Sequence, residues 1–183
     1  MKIPFKAILL SACTTLSVFA AIVYTSSCNR DKCKTIVCAY GGVCNGGTCI
    51  CPSGYEGTNC ETEARLKFKG NWNVYEKGSR TQAAQYGVSI ELGETPTEVV
   101  ILNLYNYFTT PIRATVSHDS LIIPNQQYQG KVVFGVGYMS TDVTYGQYGR
   151  IYMSYEVVDT ATNIPNDFGY YAPDGSEPST WSK

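Results

Sequence analysis

The run Tyr86-Gly87-Val88-Ser89-Ile90-Glu91-Leu92 alternates strictly, with Tyr86, Val88, Ile90 and Leu92 on one face and Gly87, Ser89 and Glu91 on the other. A period of two marks a strand buried on one side. The pattern continues outward in both directions. Val100, Leu102 and Leu104 repeat it, and Ile112, Ala114 and Val116 oppose Arg113 and Thr115. Val132, Phe134, Val136 and Tyr138 form an apolar row against Lys131, Val133, Gly135 and Gly137. Ile151, Met153, Tyr155 and Val157 face inward against Tyr152, Ser154 and Glu156. Turn chemistry separates these runs at Glu76-Lys77-Gly78-Ser79, Gly93-Glu94-Thr95-Pro96, His118-Asp119, Asn125-Gln126-Gln127 and Tyr145-Gly146-Gln147. With strands over 68–75 and 120–124, the count reaches roughly eight antiparallel strands, which suits a barrel or, as the alternative, a β-sandwich. Fifteen Tyr and 17 Gly against 16% charged residues lean the same way.

The choice between barrel and sandwich turns on Phe68-Lys69-Gly70-Asn71-Trp72-Asn73-Val74, which sets Gly-x-Trp on the first strand. With Ile101–Asn106 and Leu121–Gln126, this resembles the lipocalin (calycin) family, and in particular the lipocalin-like domains of Bacteroidota lipoproteins. The resemblance implies a barrel over residues 66–160, with Gly70 and Trp72 at its closed end. It also implies a lumen for a small apolar ligand, lined by Tyr86, Val88, Phe134, Tyr138, Met153 and Tyr155. Residues 161–183, rich in Pro, Gly, Asp and Ser, read as a C-terminal loop or tail.

The cysteines describe a different unit. Eight are present: Cys13, Cys28, and six packed between Cys33 and Cys60, separated by four, five, four, one and eight residues. Clustered cysteines in an exported chain mean a disulfide framework, and spacing alone leaves its connectivity open. Cys51-Pro52-Ser53-Gly54-Tyr55-Glu56-Gly57-Thr58-Asn59-Cys60 resembles the EGF hallmark Cys-x-x-Gly-aromatic-x-Gly-x-x-Cys. An EGF-like module over 33–60 implies the pairs Cys33–Cys44, Cys38–Cys49 and Cys51–Cys60. So short a segment cannot bury enough apolar surface to fold without covalent staples. Calcium binding is not expected, because Lys32 follows Asn29 and Asp31 where an oxygen ligand is needed and the Asn45–Thr48 loop is too short. Zinc is disfavoured by the absence of CxxC pairs. The module reads as a spacer, joined by a linker at 61–65 to the β domain.

Residues 1–27 read as a signal peptide. Lys2 and Lys6 give a basic start, Ala7–Tyr24 is apolar, and Thr25-Ser26-Ser27 are small. Tyr24-Thr25-Ser26-Ser27-Cys28 resembles a bacterial lipobox, although Thr25 stands where an aliphatic residue is usual. The resemblance implies lipidation at Cys28, a lipidated N-terminus and linker over 28–32, and attachment to the cell envelope at the outer membrane, facing the periplasm or the surface. Removing Lys2 and Lys6 from 14 basic residues leaves 12 against 15 acidic, a net of −3. That balance gives no basic face for nucleic acid.

Catalytic chemistry is sparse. His118 is the only histidine, and Ser117-His118-Asp119-Ser120 cannot fold back into a Ser-His-Asp triad because neighbouring side chains point apart. Neither a cofactor nor a metal is expected, and the chain reads as a non-enzyme. Ser120 in Asp119-Ser120-Leu121 and Thr160 in Asp159-Thr160-Ala161 resemble acceptors of Bacteroidota O-glycosylation. Two binding readings remain: an apolar ligand inside the barrel, or a protein partner of the envelope met by the Tyr- and Gln-rich loops at 125–128 and 145–148.

Overall fold

A computed structural model describes residues 32–142, 144, 146–170 and 176–183. The signal segment and Cys28 lie outside the described residues. Two short hairpins form the N-terminal unit: β1 (Val43–Asn45) with β2 (Thr48–Ile50), and β3 (Tyr55–Glu56) with β4 (Thr62–Glu63). Disulfides join Cys33 to Cys44, Cys38 to Cys49 and Cys51 to Cys60. Three such bonds belong to an oxidising, non-cytoplasmic compartment.

A 3₁₀ turn, Ala64–Lys67, leads into the second unit. Its strands are β5 (Gly70–Glu76), β6 (Ala84–Leu92), β7 (Glu98–Leu102), β8 (Ile112–Ser117), β9 (Ser120–Tyr128), β10 (Lys131–Met139), β11 (Arg150–Asp159), β12 (Ile164–Phe168) and β13 (Ser179–Ser182). Successive strands from β5 to β11 pair antiparallel, and β13 lies between β11 and β5. Eight strands thus close a barrel with no free edge along the ring, while β12 pairs with the far half of β11. One end, the base, holds the start of β5, the β6–β7 and β8–β9 turns and the disulfide unit.

The interior is filled with side chains. Trp72, Val74, Ile90, Val99, Ile101, Ile112, Leu121, Val133, Ile151, Met153, Tyr155 and Trp181 are all buried in one apolar cluster. Phe68 closes the base, and Leu104, Phe108 and Phe168 close the distal end. Gly70 adopts φ 129°, open to glycine alone, and lets the chain turn from the 3₁₀ segment into β5.

On β10 the inward residues are Val133, Gly135, Gly137 and Met139, so Phe134 and Tyr138 face out. Both parities of that strand are plausible, and volume decides between them. A Cβ on Gly135 would meet the Ser154 carbonyl at 2.6 Å and the Tyr155 Cα at 2.7 Å. The bulk of β11 leaves room only for glycine opposite it. On β7, Val99 and Ile101 face in rather than Val100 and Leu102; four consecutive apolar residues carry no parity signal. The turn expected at Asn125–Gln127 is strand, because a bulge between Val133 and Gly135 absorbs Pro124 and Asn125. There the Gln126 amide substitutes for a peptide group, accepting from Arg113 N–H at 3.0 Å and donating to its carbonyl at 2.8 Å. The region expected as a C-terminal loop or tail, 161–183, holds the paired strands β12 and β13, and β13 closes the barrel. Residues 61–65 are not a free linker, since β4 and the 3₁₀ turn fix them to both units.

Candidate functional site

The barrel interior, the first candidate, holds a polar network and, among the described residues, no lumen. Glu76 continues the inward parity of Trp72 and Val74 and is buried. Its carboxylate accepts hydrogen bonds from Tyr86 Oη at 2.7 Å, Tyr155 Oη at 2.8 Å and Ser179 Oγ at 2.6 Å. Ser179 in turn accepts from Trp181 Nε1 at 2.9 Å. Burial raises the Glu76 pKa, and the three hydroxyl donors only partly oppose the rise. Tyr155 stacks on Phe168 with centroids 4.4 Å apart, which seals the network from the distal end. A lumen wide enough for a ligand would leave inward side chains accessible on their inner side. Ile90, Ile101, Met153, Tyr155 and Trp181 are instead 0% exposed.

Of the proposed lining residues, Val88, Met153 and Tyr155 are core, and Tyr86 packs half-buried against it. Phe134 and Tyr138 lie on the other side of the wall. Phe134 is covered edge-on by Tyr170 at 6.0 Å, while Tyr138 is 56% exposed. The structure therefore does not gather these six residues around one space.

A second candidate is the junction at the base. Lys67 Nζ contacts Glu56 of the disulfide unit at 2.8 Å and Asp119 of the β8–β9 turn at 2.6 Å. Burial alone would lower the Lys67 pKa, but its hydrogen bonds to Asp119 and Glu56 outweigh that and raise it. Arg65 pairs with Glu63 at 2.7 Å and donates to the Gly93 carbonyl at 2.8 Å, tying down the β6–β7 turn. Ala64 N–H donates to the Gly54 carbonyl at 2.9 Å, and Gly54 packs against Pro96. A cleft of about 430 Å³ remains between the units, lined in part by Pro52, Tyr55, Thr97 and His118. Trp72 Nε1 donates to the Phe68 carbonyl at 2.8 Å, and Lys183 Nζ sits 4.5 Å over the Trp72 ring.

The third candidate is the outer wall. Tyr138 pairs across strands with Tyr152, Tyr152 with Thr180, Thr180 with Tyr75, and Tyr75 with Gln85. Tyr138, Tyr152 and Tyr75 are each at least 40% exposed, and Ile122 lies exposed beside Val136. At roughly 4.8 Å per strand, the belt spans roughly 14 Å from Tyr138 to Tyr75. Sequence alternation does not reveal it, because Val132, Phe134, Val136 and Tyr138 form an apolar row that points to the opposite parity of β10.

His118 lies exposed in the β8–β9 turn with φ 51° and has no Ser or Asp hydrogen bond among the described residues. Ser120 is half-buried at the start of β9. Thr160 is exposed in the β11–β12 turn, where its hydroxyl donates to the Gly130 carbonyl at 2.8 Å. Among the described residues, no group of three or more His, Cys, Asp or Glu is placed to hold a metal. No known protein-family profile matches the chain.

Proposed function

We propose that the chain is a lipid-anchored, non-catalytic binding protein of the cell envelope that meets a protein partner through the outer wall of its barrel. The filled interior carries this reading, because a barrel of eight strands transports a ligand only when side chains leave it space. The tyrosine belt supports it further: rigid, amphipathic rings give contact area at low entropic cost. The disulfide pairing order supports an EGF-like unit, and the Gly70 turn with the capped Trp72 supports a lipocalin-like base. On this reading Cys28 carries the acyl chains, and Lys67 and Arg65 brace the EGF-like spacer so that the belt stands clear of the membrane.

A photo-cross-linking amino acid at position 138 or 152, in intact host cells, tests the reading, with position 100 on β7, across the ring from β11, as control. A discrete protein adduct at 138 and 152 but not at 100 is expected. No adduct, or equal labelling at all three positions, would contradict it. The intact mass of membrane-extracted protein should begin at Cys28 with added acyl mass, and an unacylated start would remove the anchor.

A further inference from the structure

Glycine inside a strand normally marks a bulge, a special backbone angle or a close approach of other atoms. Gly135 is explained by the packing of β11 against it. Gly87 in β6 is not explained in any of these ways. It pairs in regular register with Asn73, and no bulge separates β5 from β6. It does not take a left-handed φ, and a Cβ there would meet only the Trp72 carbonyl oxygen, at 4.0 Å. The missing side chain instead leaves a depression on the outer wall.

That depression is a groove of about 330 Å³, within the range of small-ligand clefts. Its polar lining is Asn71, Asn73, Ser89 and Asn103, and it contains no charged residue. The side chains of Asn71 and Asn73 have no hydrogen-bond partner among the described residues and face solvent. Asn103 donates to the Gly87 carbonyl at 2.8 Å and to Asn106 Oδ1 at 3.3 Å, which fixes its amide at the rim. The segment that presents it is strained: Asn103, Tyr105 and Asn106 take φ of 64°, 59° and 47°. For a residue as bulky as Tyr105 this is rare, and such strain collects at functional sites.

We infer that this groove binds a neutral saccharide unit. An anionic ligand would need a cation that the groove lacks, and a metal ion would need carboxylates. An apolar ligand would leave the Asn71 and Asn73 amides desolvated without partners. The Asn71 and Asn73 amides both donate and accept, and the Ser89 hydroxyl, donating to Glu91 Oε1 at 2.7 Å, keeps lone pairs for an incoming donor; together they match a ring bearing several hydroxyls. Tyr75, the next outward residue on β5 after Asn73, is an exposed ring one outward position beyond the groove's lining. Tyr75 also belongs to the tyrosine belt, but the groove's lining residues do not, so the site does not depend on the partner contact.

The test is amide chemical-shift mapping of the whole chain, titrated with maltose, mannobiose and N,N′-diacetylchitobiose, and with a sialylated trisaccharide as the charged comparison. At least one neutral sugar should give saturable shifts confined to Asn71, Asn73, Gly87, Ser89 and Asn103. Gly87→Val fills the depression while placing a better strand former in β6, so its fold is retained. It should weaken binding at least about tenfold, as should Asn103→Ala. No saturable shift with any neutral sugar would overturn the inference. So would equal binding of the sialylated sugar, or unchanged affinity in Gly87→Val.

Discussion

At the scale of single residues, the two side chains that most constrain the barrel are a buried acid and an inward glycine. Glu76 is uncharged most readily, because burial raises its pKa. The folded state therefore binds more protons than the unfolded chain above the ordinary glutamate range. Its contribution is fully present below that range and is lost as pH rises through the raised folded value. Glu156, raised by burial and by the facing Asp167, adds in the same sense. Glu76→Gln resembles the protonated acid, so its stability relative to the parent should improve as pH rises; a difference constant with pH would contradict this. Glu76→Ala strands the hydroxyls of Tyr86, Tyr155 and Ser179 and should cost about 2–4 kcal/mol in urea unfolding. Gly135→Ala drives a methyl into β11 and should cost about 2 kcal/mol or more by the same measurement.

At the scale of elements, the sequence was legible wherever one parity was clearly apolar and the other polar. β6, β8 and β11 satisfy that condition, and their inward residues follow directly from alternation. β7 and β10 do not, because Val99-Val100-Ile101-Leu102 and Val132-Val133-Phe134 are apolar on both faces. Their orientation is set by the volume left by neighbouring strands, which no local pattern records. The belt was invisible for that reason. Glu76 could have been found from parity, since it falls two residues beyond Val74, but its charge and the adjoining Lys77-Gly78 suggested a turn. β13 was hidden by the Pro- and Gly-rich residues before it, yet it supplies the strand between β11 and β5. Truncation after residue 175 should leave both with unpaired edges and yield an aggregated or unfolded chain, read by circular dichroism and gel filtration. A folded monomer would show that β13 is dispensable.

At the scale of the whole molecule, two units meet through a short, polar but highly connected junction. Among the described residues, Lys67 is the one cation that pairs with carboxylates from both units, and its raised pKa keeps that clamp charged into alkaline pH. Lys67→Met should leave the barrel folded and make residues 61–67 susceptible to limited proteolysis, whereas cleavage of the parent there at the same rate would show that the clamp is unimportant. On the proposed reading the barrel acts through its outside because its inside is full. Native mass spectrometry of the mature chain, released from its host's membranes in detergent, tests this most directly. The expected result is the mass of the protein with its covalent modifications and nothing more. An apolar molecule retained in the folded protein and released on unfolding would contradict it and make the barrel a carrier.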